Sequence, residues 1–371
     1  LAVLLLALSL GPGTTPAAAG PDAPKPRIQL AILLDTSNSM DGLIDQAKSQ
    51  LWKIVNELAT ARQNGRSPEL QVALYEYGND GLPGSEGHIR LVLPLSADLD
   101  KVSEELFKLR TNGGDEYCGQ VIGRAAKQLD WSKSGSDLKL IFIAGNEPFT
   151  QGPADFRATC KEAISKGIVV NTIFCGSHQE GIDTHWKAGA DLADGRYMNI
   201  DQNRAVVAIA TPQDAPIAAL NVELNKTYLA YGAAGKKGKA RQEAQDANAS
   251  TVNAEVVAQR TVAKASGQYK NVDWDIVDAA KDGQVKVEEM KETDLPEEMR
   301  RMTVEERKAY LAKLSQKREE IQKQIRQLSA ERDKYIQEQR QKQPGEETLD
   351  TAVLKSVRSQ AEKKNFEFEK K

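Results

Sequence analysis

"AILLDTSNSM", residues 31–40, runs from four apolar residues into an aspartate set among small hydroxyl and amide residues. The apolar part continues backwards to Ile28 and reads as a buried strand, "IQLAILLD" (28–35). Asp35, Ser37 and Ser39 stand at alternate positions, and in an extended segment alternate side chains share a face. Three hard oxygen donors would then converge at the strand's exit, and Mg²⁺ and Ca²⁺ take oxygen ligands.

Outward from this stretch, apolar runs alternate with helical patterns. Residues 41–62 place Leu43, Ile44, Ala47, Leu51, Ile54, Val55 and Leu58 at helical spacing. Strands are predicted over 70–78 and 88–96 with a Gly-rich turn between them, so one of the two should run antiparallel to the rest. Helices follow at 98–109 and 118–131, a near-continuous apolar strand at 137–145, a helix at 154–167 and a strand at 168–176. Strands alternating with helices predict an α/β fold, a doubly wound, mostly parallel sheet with helices on both faces. Ligands of such sheets bind at the carboxyl ends of the strands, where Asp35, Gly145 and Cys175 fall.

"DTSNS" resembles the DxSxS signature of the von Willebrand factor type A domain, the integrin I-domain fold, and the order of elements is similar from about 27 to 212. The resemblance implies a metal-ion-dependent adhesion site, completed in the family by a Thr from a second loop ("GGT") and an Asp from a third ("TDG"). A carboxylate from a protein partner commonly finishes the shell. This chain departs from both later motifs. Its second loop reads "TNGGDEYCG", which puts Asp115 where the Thr belongs and leaves Thr111 as a second candidate. Its third loop reads "IFIAGNEPF", which puts Gly145 where the Asp belongs. The expected metal set is therefore Asp35, Ser37, Ser39 and Asp115. Thr111, Glu116, Asn146 and Glu147 are additional metal- or partner-binding candidates, and the cofactor is a divalent cation, Mg²⁺ or Ca²⁺. An acid-richer ring would favour a Ca²⁺-like ion and repel a partner carboxylate.

Catalytic readings fail on the same residues. A haloacid-dehalogenase-type phosphatase needs a second Asp where Ser37 stands, and GxSxG is absent. His88, His178 and His185 are scattered, and no Gly-rich phosphate loop follows a strand. A binding module is expected, not an enzyme, with no catalytic residues.

The chain has 371 residues and a net charge of −3, which gives no reason to expect nucleic acid as a partner. The apolar run Leu1–Leu10 is too short to span a bilayer and leads into small residues ending at Ala17–Ala19. That is the pattern of a secretory signal peptide over 1–20, with a linker at 21–26, so the protein is expected to be exported, periplasmic or extracellular. No later segment reaches transmembrane length. Of the three cysteines, Cys160 and Cys175 are the expected disulfide, with Cys118 competing for either partner.

The second half is expected to be a mixed, mainly helical region at 213–300, a long helix at 301–343 and a short helix and tail at 344–371. Asp282-Gly283 signals a hairpin within 274–290. Asp278, Asp282, Gly283 and Glu289 also echo an EF-hand loop, with Ala280 and Lys286 at other ligand places. Thr303 and Glu306 form a capping box. Leu311, Leu314, Ile321, Ile325, Leu328 and Tyr335 fit a heptad seam interrupted by Arg318 and Arg332. That helix is either a coiled-coil arm for self-association or a helix folded back on the body. The leading expectation is an exported metal-dependent protein-binding module for adhesion or scaffolding. The alternative is an envelope structural protein whose A-like domain is metal-free and whose long helix mediates assembly.

Overall fold

The computed structural model describes residues 24–200, 209–342 and 349–368, without the side chains of Ser39, Leu349 and Asp350. The leader expected at 1–20 lies outside them. The first half runs β1 (Arg27–Asp35), α1 (Asp41–Ala59), β2 (Ala61–Gln63), β3 (Glu69–Tyr77), β4 (Ile89–Ser96), α2 (Leu99–Lys108) and α3 (Cys118–Gln128). It continues through β5 (Leu138–Gly145), α4 (Phe156–Ser165), β6 (Ile168–Cys175), α5 (His178–Asp183), α6 (Trp186–Asp191) and β7 (Tyr197–Ile200). The second half is α7 (Asp214–Asn225), α8 (Gly232–Val252), α9 (Ala254–Lys264), α10 (Ile276–Lys281), α11 (Val304–Lys342), α12 (Leu349–Glu362) and a last short strand, β8 (Phe366–Phe368).

The main sheet has the order β4-β3-β1-β5-β6-β7. All its pairings are parallel except β3 with β4, as the Gly-rich turn predicted. Each strand alternates its side chains between two cores. Leu30 and Leu34 of β1 join Leu140 and Phe142 of β5 on the face covered by α1. Ala31 and Leu33 join Ile141 and Ile143 on the face covered by α3 and α4. Both faces are therefore sealed, which is why these strands read as continuous apolar runs.

The three cysteines are free and buried, so the expected Cys160–Cys175 disulfide is not formed. Cys160 sits in the core on one face of the sheet and Cys175 in the core on the other. Being near one end of the sheet does not bring two thiols together when a sheet lies between them.

The C-terminal segment returns to the first domain. Val353, Val357 and Ala361 of α12 recur at helical spacing and are buried in the same core as α1. Asn171 of β6 accepts hydrogen bonds from Ser356 (3.1 Å) and Gln360 (2.7 Å). β8 then pairs antiparallel with β2, Gln63 opposite Phe366. The expected tail is thus, over its described part, a closing layer of the sheet delivered after α7 to α11.

Asp282-Gly283 does not make the expected hairpin. It ends α10, with Gly283 at φ +72°. A helix C-terminus and a tight hairpin both want a residue with positive φ, so the dipeptide signals either. The EF-hand echo also fails: Arg318 takes Asp278 (2.6 Å) and Lys270 takes Asp282 (2.7 Å).

The capping box forms, with Glu306 N–H donating to Thr303 Oγ1 (3.3 Å) and Thr303 N–H to Glu306 Oε2 (2.8 Å). It starts α11, 39 residues long. Its seam is spent on the protein's own body: Leu311, Arg318, Ile321, Ile325 and Arg332 are the buried positions. The two arginines that broke the heptad explain the choice. Arg318 reaches Asp275 (2.7 Å) and Asp278, and Arg332 reaches Asp214 (2.8 Å). Buried guanidinium groups need acid partners, and the body supplies them where a second copy of the seam would present another arginine.

Candidate metal centre at the strand ends

β1 delivers Asp35, fully buried, to the carboxyl end of the sheet, beside Tyr77 of β3. The backbone then stays extended through Ser37 (φ −67°, ψ 166°) before a short turn at Asn38–Met40. Ser37 N–H donates to Asp35 Oδ1 (2.8 Å), which folds the loop back over the carboxylate. The second loop is tied to the first, since Asn112 N–H donates to Thr36 O (2.9 Å). This brings Glu116, which is 5% exposed, against Asp35. A β-carbon on Gly78 would lie 2.6 Å from Glu116 Cγ and 2.8 Å from Asp35 Oδ1. Gly78 also has φ +76°, which favours glycine for a second reason.

The oxygens here lack donors. Asp35 Oδ2, Ser37 Oγ, Glu116 Oε2 and Asn146 Oδ1 are all buried without a hydrogen-bond partner. Burial raises the Asp35 carboxyl to about 6, against the Ser37 backbone N–H and the Glu116 carboxyl beside it. Burial, and then the Asp35 carboxylate, raise Glu116 to about 9. The nearby Glu147 charge pushes both in the same direction. Two carboxyls this close and this dry do not both ionise unless a cation joins them.

Of the expected residues, Asp35, Ser37 and Glu116 come together, with Glu147 half-buried nearby; Asn146 follows Gly145 at the end of β5, its Oδ1 buried without a partner. Asp115 does not join them. It is exposed and accepts from the Tyr117 hydroxyl (2.9 Å), so the next residue, Glu116, occupies the inward place. Thr111 is turned to Asp41 Oδ1 (2.6 Å). The backbone of Ser39 lies in the turn after Ser37, and its side chain is outside the described set. His178 sits apart with Asn199 (3.2 Å).

The lost third-loop aspartate has a steric account. A β-carbon on Gly145 would stand 2.5 Å from Tyr77 Oη and 3.0 Å from Asp35 Oδ2. The Tyr77 hydroxyl donates to Ala144 O (2.9 Å) and fills that space. Neither Tyr77 nor Gly78 was singled out from sequence. The signal available was Gly78 ending an apolar strand, read as an ordinary turn.

The donor set suits a hard divalent ion: two carboxylates, a hydroxyl and an amide oxygen, each short of a positive partner. Among the described residues no group of three or more His, Cys, Asp or Glu is placed to hold an ion. Any ion here must therefore complete its shell with neutral oxygens, water or a ligand from outside.

No curated protein sequence matches the chain. Among solved structures, BatB from Bacteroides thetaiotaomicron is 16% identical, with 47% of this chain and 90% of that one covered and a TM-score of 0.36. The SpRpn10 VWA domain is 16% identical, with 49% and 100% covered and a TM-score of 0.35. The pilus adhesin SpaC from Lactobacillus rhamnosus GG is 15% identical, with 48% and 28% covered and a TM-score of 0.36. The family model for the von Willebrand factor type A domain, commonly a protein-interaction module, matches residues 29–184, which span β1 through α5. The chain carries a von Willebrand factor type A domain over those residues.

Proposed function

We propose that the chain is an exported protein-binding module that holds its partner through a divalent cation at the carboxyl ends of β1 and β5. The cation, Mg²⁺ or Ca²⁺, would be held by Asp35, Ser37 and Glu116, with Asn146 and Ser39 as further oxygens. When bound it supplies a Lewis-acid point for an acidic side chain of the partner. The observation that carries this reading is the set of four buried oxygens without hydrogen-bond partners on Asp35, Ser37, Glu116 and Asn146, residues at the carboxyl ends of β1 and β5 and on the loop beside them. Asp115 leaves the proposed set because Tyr117 holds it at the surface. Binding is proposed over catalysis because von Willebrand factor type A domains are commonly interaction modules. Export rests on the leader pattern of residues 1–20. No helix among the described residues is long and apolar enough to cross a membrane.

The cation's role separates two arrangements. If the partner completes the shell, partner binding needs the ion, and by linkage the ion binds tighter in the complex. If Glu147 or Asn146 completes it, the ion only braces the loops. Pull-down from envelope extract, with and without chelator, on wild type and Glu147→Ala tells them apart. Loss of the partner on chelation, retained by Glu147→Ala with metal, is the expected result. A partner kept in full after chelation by folded protein would overturn the proposal and favour a metal-free structural role.

A further inference from the structure

We propose that a second cleft, at the opposite end of the sheet from Asp35, binds a phosphate-type oxyanion on Lys139, Lys133, Lys166 and Lys364. The cleft has a volume of about 580 Å³, the size of a small-molecule site. It opens at the amino ends of β5 and β6, between the final turns of α3 and α4.

Lys139 is the unusual residue. It is the second residue of β5 and only 5% exposed. Its Nζ donates to two backbone carbonyls, Ser132 O (3.0 Å) and Lys166 O (2.5 Å), and among the described residues it has no ion-pair partner. An ammonium has three donors, so one is left over. Burying a charge without a counter-ion is costly. Burial and then the Lys364 charge lower the Lys139 pKa, and the nearby Asp137 charge offsets them only in part. An anion in the cleft would reverse both penalties.

The other cations come from separate parts of the chain. Lys166 reaches Ala126 O (3.1 Å) and also Glu162. Lys364, between α12 and β8, reaches Gly135 O (2.9 Å). Lys133 is exposed on the loop before β5. Capping of helix ends accounts for Lys166 and for part of Lys139. It does not account for Lys133 or Lys364, nor for a lining that sets four lysines against one carboxylate, Asp130.

Ammonium groups converging from different segments suit a compact anion of high charge with several acceptor oxygens, which is the chemistry of phosphate. The half-buried Trp131 lines the same cleft, its Nε1 donating to Ala125 O (2.9 Å), and so reports on occupancy. The ligand could be a free phosphate compound or the headgroup of an anionic lipid.

The test uses the full chain in chelator, so that it does not depend on the metal site. Inorganic phosphate is titrated by calorimetry and by tryptophan fluorescence, on wild type and on the double variant Lys133→Gln/Lys364→Gln. The expected result is one saturable site per chain, weakened at least tenfold in the double variant, whose unfolding midpoint without phosphate stays at the wild-type value. Lys139→Met, which removes the buried charge, should stay folded and abolish the site. Co-sedimentation with phosphatidic acid vesicles, against phosphatidylcholine alone, forms a second arm. Vesicle binding lost in the double variant assigns a lipid headgroup, and phosphate binding without vesicle binding assigns a free ligand. No saturable binding in either arm, or binding that the double variant retains, would overturn the proposal and leave the lysines as helix caps. Binding of citrate but not of phosphate would overturn the assigned chemistry.

Discussion

Glu116 meets Asp35 across Gly78, in a gap too narrow for a β-carbon: 2.6 Å to Glu116 Cγ and 2.8 Å to Asp35 Oδ1. Asp35 ends β1 and Glu116 comes from the loop before α3, so backbone geometry rather than charge attraction brings the two acids together. A protein that keeps such a contact must offset it with a shared proton or a cation.

Gly78→Ala should therefore cost stability twice, through the clash and through φ +76°. A loss of about 1–3 kcal/mol is expected in urea unfolding. A variant as stable as wild type would mean that the two loops move apart freely and that the acid pair is not a fixed feature.

Gly145→Ala should be destabilising because Tyr77 Oη stands 2.5 Å from the new carbon. The same substitution made on Tyr77→Phe, where that oxygen is gone, should cost less. A double-mutant cycle measures the difference. Strict additivity would show that the Tyr77 hydroxyl is not what keeps an aspartate out of position 145.

Much of this was legible in advance. The alternation of apolar strands and helices gave the doubly wound sheet because strands sealed on both faces leave a run that periodicity detects. Asp35 ends β1 and Ser37 follows in extended backbone, as simple alternation along the stretch predicts. The second loop was misjudged by one residue: Asp115 was expected inward, and Glu116 takes the place. Loop register depends on tertiary ties such as Asn112 to Thr36, which no local pattern encodes. The return of α12 was equally invisible. Val353, Val357 and Ala361 announce an amphipathic helix but not which sheet it covers. Arg318 and Arg332 interrupt the seam and so favour a helix folded back on the body over a tight dimer. They are the contacts that dock α11, and their acid partners, which no local pattern names, lie 43 and 118 residues away.

pH should act on the metal-free protein through the same pair. Burial raises the folded-state pKa of Asp35 to about 6, and burial followed by the Asp35 charge raises that of Glu116 to about 9. Between the ordinary carboxylate range and those values, the folded state holds protons that the unfolded state has released. Stability is then highest below the ordinary range and falls as pH rises through the raised values. In chelator, the melting temperature of wild type should drop between pH 5 and pH 9 more steeply than that of Glu116→Gln. Added metal should flatten the wild-type curve by displacing the proton. Equal slopes with and without Glu116 would contradict this.

Arg260 of α9 joins the two halves of the chain. It is 1% exposed and bonds Asp100 of α2 (2.7 Å) and Asp246 of α8 (2.6 Å). Arg260→Leu would leave Asp100 buried without its cation, at a cost of about 3–5 kcal/mol. Chemical denaturation should show one transition shifted to lower denaturant, because the helical region and the sheet share a core. Two separate transitions in wild type would show that the halves are independent.

The central claim is that the donorless oxygens around Asp35 hold a divalent cation with Glu116 in the place expected for Asp115. Calorimetry with Mg²⁺, Mn²⁺ and Ca²⁺ on wild type, Asp35→Ala, Glu116→Gln and Asp115→Ala tests it most directly. The account predicts one site in wild type, no site in Asp35→Ala, at least tenfold weaker binding in Glu116→Gln and near wild-type binding in Asp115→Ala. Binding that is equal in wild type and Asp35→Ala, or lost in Asp115→Ala while Glu116→Gln retains it, would contradict it.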